Sequence, residues 1–332
     1  MILQGNSLEI LKTLESESIN CCVTSPPYFG LREYHTEPFI WDAEINCDHE
    51  WKLEITKRPN NSGGSSKKTR IKGVANFQHW VDYHNRTSVS DFCIKCGAWK
   101  GSLGLEPTPE LYIKHLCAIF EEVKRVLKKD GTLWLNLGDS YNAGRNGGHA
   151  GGQKQGIREC YVQRSGANVP GLKPKDLIGI PWMVDFALRN CGWYLRQDII
   201  WHKPNSMVES VMDRCTKSHE YMFLFSKSYR YYFDFESIKE PSVDLKTTRN
   251  KRSVWSVNTK PFKGAHFATF PEKLIEPCIL AGSPKNGIVL DIFMGAGTTA
   301  LVAKKNGRNY LGIELNPNYI KIAEDRIKEI LW

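Results

Sequence analysis

The sequence predicts an α/β protein built on a Rossmann-like, doubly wound, mostly parallel sheet with an inserted module. Three observations predict it. Short apolar β-prone runs alternate with amphipathic helical patterns, the signature of a sheet covered by crossover helices. A buried strand at 288–291 runs straight into a glycine turn and a helix. The texture changes between residues 39 and 105, where aromatic, basic and cysteine-rich sequence intervenes. A length of 332 residues suits one large domain carrying such an insertion.

The elements follow in order. Leu8, Ile10, Leu11 and Leu14 share one helical face. Residues 19–24 form a strand that stops at Ser25-Pro26-Pro27-Tyr28, because two prolines end any ladder. The insertion interleaves Trp41, Trp51, Phe77, Trp80, Tyr83 and Trp99 around a flexible basic loop at 60–68. Leu111, Leu116, Ile119, Phe120, Val123 and Leu127 give an amphipathic helix over 109–128, followed by a buried strand at 131–137. A glycine-rich basic stretch over 142–172 reads as a flexible loop. Helix 181–191, strand 193–201 and strand 221–226 come next. Residues 237–264 read as irregular and basic. Helix 271–280, strand 288–291, helix 298–305, strand 309–314 and helix 317–331 complete the chain. The expected division is thus 1–38, the insertion 39–105, a core part 106–236, the basic segment 237–264, and a final core part 265–332.

Hydrophobic residues make up 41% and charged residues 24%, which excludes a disordered chain. No run of about 18 apolar residues occurs, so no spanning helix and no membrane partner are expected. The N-terminus lacks a basic-then-apolar leader pattern, so a cytoplasmic protein is expected. Its ten cysteines then read as thiols or metal ligands rather than a disulfide frame. The net charge of +9 is uneven: windows 52–72, 145–175 and 246–263 carry +6, +5 and +6, leaving −8 for the rest. Basic loops on an acidic body suit a polyanion such as nucleic acid, or are solvated surface loops.

Asp291 precedes the turn Ile292-Phe293-Met294-Gly295-Ala296-Gly297-Thr298-Thr299, and Glu314 ends the next strand. Glycines let the backbone approach a ligand. An acid at the second strand end can accept from both ribose hydroxyls of an adenosine-containing cofactor. The third glycine of a dinucleotide fingerprint is missing, and no Gly-Lys-Ser/Thr follows as in a Walker loop. A cofactor without phosphates fits better, and S-adenosylmethionine is the expected one.

Thr24-Ser25-Pro26-Pro27-Tyr28 resembles the catalytic motif of DNA amino-methyltransferases, and residues 291–299 resemble their S-adenosylmethionine motif. Residues 198–205, 218–221 and 266–271 add support. Catalytic motif first and cofactor motif last is the order of the circularly permuted β-class of that family. The resemblance implies methyl transfer from S-adenosylmethionine to an exocyclic amine of a flipped base in duplex DNA. Ser25 Oγ and the Pro26 carbonyl would accept the amine hydrogens, Pro27 would stiffen the loop, and Tyr28 would offer a stacking face. Phe267, Thr269 and Phe270 would lie by the methionine part, and Asn6 by the adenine, where the family usually has aspartate. Phe293, Gly295, Gly297 and Thr298 would line the turn. A serine before Pro-Pro favours the cytosine 4-amino group, with the adenine 6-amino group as the alternative. A cognate restriction endonuclease is an expected partner, although an orphan or phage role stays open.

Lys203 is either a contact near the target base or a phosphate, or a surface charge. Lys246, Arg249, Lys251 and Arg252 are candidate DNA contacts. Pro277-Cys278 resembles the nucleophile pair of cytosine carbon-5 enzymes, but it precedes the cofactor motif and reads as helix core. In the insertion, Cys47-x-His49 and Cys93-x-x-Cys96 with Gly97 have the ligand types of a structural Zn²⁺ site; unrelated thiols are the alternative. RNA methylation and a non-catalytic DNA-binding protein remain further readings.

Overall fold

A computed structural model of the chain describes residues 1–31, 36–57, 85–142, 169, 171–242, 246–260 and 269–328. The expected loop at 60–68, most of the glycine-rich stretch 142–172, and Phe267 lie outside these residues. Contacts divide the chain into two compact units. One comprises Met1–Thr36 and Leu103–Trp332, and the other is Glu37–Ser102. Residues 103–105, read as the end of the insertion, fall in the larger unit, where the Gly104 amide donates to the buried Glu106 at 2.7 Å.

The larger unit opens with β1 (Ile2–Gln4), α1 (Ser7–Thr13) and β2 (Ile19–Thr24). The smaller unit holds β3 (Phe39–Trp41), β4 (Trp51–Lys57), β5 (Asn85–Cys93) and β6 (Trp99–Gly101), one antiparallel sheet in the order β3-β6-β5-β4. The larger unit resumes with α2 (Pro109–Val126), β7 (Leu127–Leu137), α3 (Ile180–Asn190), β8 (Tyr194–His202) and β9 (His219–Ser226). Two-residue strands β10 (Glu240–Pro241) and β11 (Thr248–Arg249) form a small ladder, and β12 (Val254–Ser256) follows. The chain ends with α4 (Glu272–Gly282), β13 (Ile288–Asp291), α5 (Thr298–Lys305), β14 (Asn309–Glu314) and α6 (Pro317–Lys328).

Eight strands form the main sheet, in the order β1-β14-β13-β2-β7-β9-β8-β12. β1 to β7 in that row are mutually parallel; β9 runs antiparallel to both β7 and β8. The segment 237–264, read as irregular, contributes the edge strand β12, parallel to β8. Its three residues are too few to show a period in sequence. Trp255 buries its ring there, and its indole N–H donates to the Arg252 carbonyl at 2.7 Å.

The helices form where caps and stripes agree. Thr108 caps α2 by accepting from the Leu111 amide, and Pro109 occupies the first turn. Tyr112, Leu116, Ile119, Phe120 and Val123 recur every three to four residues and are all buried. β2 is buried along nearly its whole length, as a central parallel strand must be. Among the described residues no helix is long and apolar enough to cross a membrane.

The topology positions the site. β13 pairs with β2, Val289 opposite Cys21 and Leu290 opposite Cys22, although they lie at opposite ends of the chain. From β13 the crossover leads one way, to β14; from β2 it leads the other way, to β7. The strand order therefore reverses between them. A crevice at the carboxyl ends of the two strands is the ligand position that such a reversal creates.

Candidate active site

Ser25 follows the last residue of β2, and Ile292 follows the last residue of β13. The two strand ends are tied together by the Asp291 carboxylate. Its Oδ1 accepts from Thr24 Oγ1 at 2.7 Å and from the Phe293 amide at 3.1 Å, and its Oδ2 accepts from Thr299 Oγ1 at 2.6 Å. Asp291 is buried, and burial raises its pKa while these three donors oppose the rise. The acid before the turn thus directs its acceptors to the protein, fixing both the start of the Ser25–Tyr28 loop and the glycine turn.

Glu314 ends β14 and joins two turns. Oε2 accepts from the Gly295 amide at 2.8 Å, and Oε1 from the Asn316 amide at 2.8 Å. Burial raises its pKa against the pull of these two amides. A carboxylate has about four lone-pair sites, so this half-buried group keeps acceptor capacity for a ligand. Phe293 and Gly295 are half-buried at the turn, while Gly297 and Thr298 are buried. Gly297 has φ +77°, and a Cβ there would lie 2.6 Å from the Ala323 Cβ, so glycine is needed for the turn and for the seat of α6.

Asn6 caps α1, its Oδ1 accepting from the Leu8 amide at 2.9 Å. It follows Gly5, whose amide donates to the Glu314 carbonyl at 3.0 Å, so it stands at the same end of the sheet. Asparagine and aspartate cap equally well, so the cap is kept despite the departure from the family's usual residue. Ser7, not singled out in the sequence, donates to the Ile292 carbonyl at 2.6 Å. Thr269 and Phe270 are half-buried just before α4, and Phe270 packs on the main core.

The catalytic-motif loop is held from several sides. The Pro27 carbonyl accepts from the Tyr112 hydroxyl of α2 at 2.8 Å, and Pro26 is buried. The Tyr28 hydroxyl lies 3.1 Å from Asn136 Oδ1, 3.0 Å from Glu220 Oε2 and 3.4 Å from Ser25 Oγ. Burial first, and then the Glu220 carboxylate, push its pKa well above the usual range, so it stays protonated. Its one proton goes to Glu220 or Asn136, leaving its oxygen to accept from Ser25. Asn136 Nδ2 is held by the Tyr221 carbonyl at 2.9 Å. The Tyr28 ring lies against Gly138, where a Cβ would sit 2.6 Å from its Cε2.

Sequence reasoning missed Asn136 and assigned no role to Glu220. The signal for Asn136 is one amide inside the apolar run Leu133–Leu137 of a buried strand. Glu220 sits in one of the supporting stretches. Lys203 is ion-paired with Glu220 Oε1, and its ammonium lies 4.2 Å from the centre of the Trp201 ring. Its side chain is only 18% exposed, so it is not a solvated surface charge. Ser25, Tyr28, Asn136, Glu220 and Lys203 therefore form one connected polar network.

The other basic candidates differ. Arg249 and Arg252 both pair with Glu240 Oε1, at 3.1 and 2.9 Å. Lys251 lies 5.1 Å from the Trp255 ring centre, and Lys246 is exposed. Cys278 is fully buried in α4, with its thiol pushed well above the usual range by burial. It is a core residue, as read.

In the smaller unit Cys47, His49, Cys93 and Cys96 bring their ligand atoms within 4.8 Å of one another. Cys47 Sγ lies 3.9 Å from Cys93 Sγ, and Cys96 Sγ lies 3.4 Å from His49 Nδ1. Burial and the neighbouring thiols of Cys96 and Cys93 push the Cys47 thiol up to about 12. Burial also raises Cys93, but hydrogen bonds from the Cys96, Glu50 and Lys95 amides and from His49 outweigh it and bring that thiol down to about 5.

Known proteins resemble the chain in sequence and in fold. A family model described as DNA methylase, of the N6/N4 methyltransferase kind, matches residues 19–325. The Type II methyltransferase M.XycI of Xanthomonas campestris pv. cyanopsidis is 42% identical over 328 residues, 98% of this chain and 87% of that protein. The Type II methyltransferase M.Cfr9I of Citrobacter freundii is 41% identical over 327 residues, with the same two shares. Among solved structures, PvuII DNA methyltransferase (cytosine-N4-specific) superposes with a TM-score of 0.59 at 18% identity, covering 98% of this chain and 85% of that one. A putative DNA modification methylase from Thermus thermophilus, complexed with S-adenosyl-L-methionine, gives 0.55 at 21% identity, covering 99% and 94%. The two structures speak for the fold; the family model and the sequence relatives go further, and by them the chain belongs to the N6/N4 DNA methylase family.

Proposed function

We propose that the protein is a Type II DNA methyltransferase that uses S-adenosylmethionine to methylate the exocyclic 4-amino group of a flipped-out cytosine in duplex DNA. The observation that carries this reading is the Ser25 hydroxyl at the end of β2, linked through Tyr28 to Glu220 and set beside the Asp291 turn. S-adenosylmethionine supplies an electrophilic methyl group on a sulfonium. The chain suits that cofactor: Glu314 retains acceptor capacity for ribose hydroxyls, and the half-buried Gly295 leaves the turn open to close approach.

An exocyclic base amine is a poor nucleophile because its lone pair is delocalised into the ring. Ser25 Oγ and the Pro26 carbonyl accept its two hydrogens and favour the tetrahedral nitrogen. The network has a direction. Glu220 accepts from Tyr28, Tyr28 accepts from Ser25, and the lone pairs of Ser25 face the amine. Each link makes the next a better acceptor. The same chain offers a route towards Glu220 for the proton the amine must lose, with Lys203 countering the carboxylate charge. The Tyr28 ring, held by its hydroxyl and by Gly138, gives the base a fixed stacking surface. Asp291 acts through position, holding the loop and the turn in register.

The Type II description of the relatives supports a role in protecting DNA against an endonuclease of the same specificity. Duplex DNA expressed alongside the protein, digested to nucleosides and analysed by mass spectrometry, tests the reading. N4-methylcytosine is expected. N6-methyladenine in its place would move the activity to the adenine amine on the same scaffold.

A further inference from the structure

We infer that Cys47, His49, Cys93 and Cys96 hold one zinc ion in a closed structural site that staples the inserted sheet. The inference is independent of the methyl-transfer reading. Zinc bound tetrahedrally at about 2.3 Å from sulfur and 2.0–2.1 Å from nitrogen sets ligand-to-ligand edges of about 3.8 Å between two sulfurs and about 3.5 Å between sulfur and nitrogen. The cluster has those edges, 3.9 Å for Cys47 to Cys93 and 3.4 Å for Cys96 to His49. Three thiolates and an imidazole are soft to borderline donors, which select zinc over magnesium, calcium or manganese. Four protein ligands leave no position for substrate, so the site is structural.

The local backbone is shaped for such a site. Gly97, at φ +75°, turns the chain directly after Cys96, and its amide donates to the Cys93 carbonyl at 2.9 Å. The Ile94 amide donates to the Glu50 carbonyl at 2.9 Å, bringing the Cys93–Cys96 knuckle against the Cys47–His49 loop. The His49 ring packs on Trp51, 5.6 Å between centres, which orients Nδ1. Lys95 also bridges the two loops through Asp48 at 2.8 Å, but that pair is 41% and 89% exposed and ties them weakly. A metal is the strong tie between two loops more than forty residues apart in sequence.

The test uses the full chain, expressed and purified without added metal. Elemental analysis is expected to find close to one zinc per chain. Cobalt substitution is expected to give thiolate-to-metal charge transfer and tetrahedral d–d bands. Cys93→Ser combined with Cys96→Ser should lose the zinc and open residues 37–102 to limited proteolysis, with S-adenosylmethionine binding retained as proof that the larger unit still folds. Cys215→Ser, at an exposed cysteine outside the cluster, should keep full zinc content. Near-zero zinc in a protein whose insertion resists protease would overturn the site. So would near-stoichiometric zinc in the double serine variant, or a disulfide among these cysteines in the purified protein.

Discussion

Two polar clusters in this molecule gather residues from distant parts of the chain, and they are completed in opposite ways. At the strand ends Asp291, Thr24, Thr299 and the Phe293 amide satisfy one another, so that cluster is whole as the protein folds. In the insertion three thiols and an imidazole converge, and apart from the amides that donate to Cys93 their partners are one another. The first kind of cluster tolerates burial without help, because every acceptor has a donor. The second kind gathers sulfur and nitrogen donors at one point, and on the zinc inference a cation completes it. A self-contained cluster positions chemistry, whereas an open one recruits a ligand.

That contrast can be broken most forcefully at Asp291. Asp291→Ala leaves two buried hydroxyls and an amide without their acceptor, and is expected to destabilise the larger unit by about 3–5 kcal/mol in denaturant unfolding. Zinc content per folded chain should not change; loss of metal in this variant would show the two clusters to be energetically linked. Tyr28→Phe comes next. It keeps the ring and cuts the link to Glu220, so kcat should fall roughly 10²-fold with cofactor affinity unchanged. Near-normal turnover would reduce the network to a structural tether. Glu314→Ala removes a charged acceptor, and calorimetry should show S-adenosylmethionine binding weakened by about 2 kcal/mol.

A fourth experiment uses an acid that neither cluster completes. Asp185 in α3 is fully buried, both its oxygens lack a hydrogen-bond partner among the described residues, and burial pushes its pKa up to about 7. The folded protein therefore holds this proton more tightly than the unfolded chain does. The resulting stability is present below about pH 4 and is lost as pH rises through 7. Asp185→Asn should flatten that slope and stabilise the protein at pH 8 by about 2 kcal/mol. The smallest effect is expected at the basic segment. Neutralising Lys246, Arg249, Lys251 and Arg252 should reduce the salt dependence of DNA binding by less than the full 0.9 per phosphate contact. Two of the four already share Glu240.

The legible parts of the fold are those where a local pattern and the tertiary role coincide. Strand Ile288–Asp291, helix Thr298–Lys305 and strand Asn309–Glu314 have the bounds that apolar runs and glycine punctuation indicate. β1 and β12 are invisible because three residues carry no period; each exists only through its neighbour in the sheet. The insertion's sheet was hidden for a related reason: more than half of its paired residues join β4 to β5, which are far apart in sequence. In the site, motif residues were legible by type and order. Asn136 and Glu220 were not, because their importance lies in which hydroxyl they meet across the sheet.

The pairing of β2 with β13 has a consequence for synthesis. During translation β2 can zip to β7 early, but its other edge has no partner until residue 288 has left the ribosome. At 5–20 residues per second, the roughly 150 residues between β7 and β13 take on the order of 10–30 s. For that interval an apolar strand bearing Cys21, Cys22 and Val23 offers an unpaired edge to any neighbouring chain. Expression yield should therefore respond to chaperone supply and growth temperature more than to the stability of the finished enzyme.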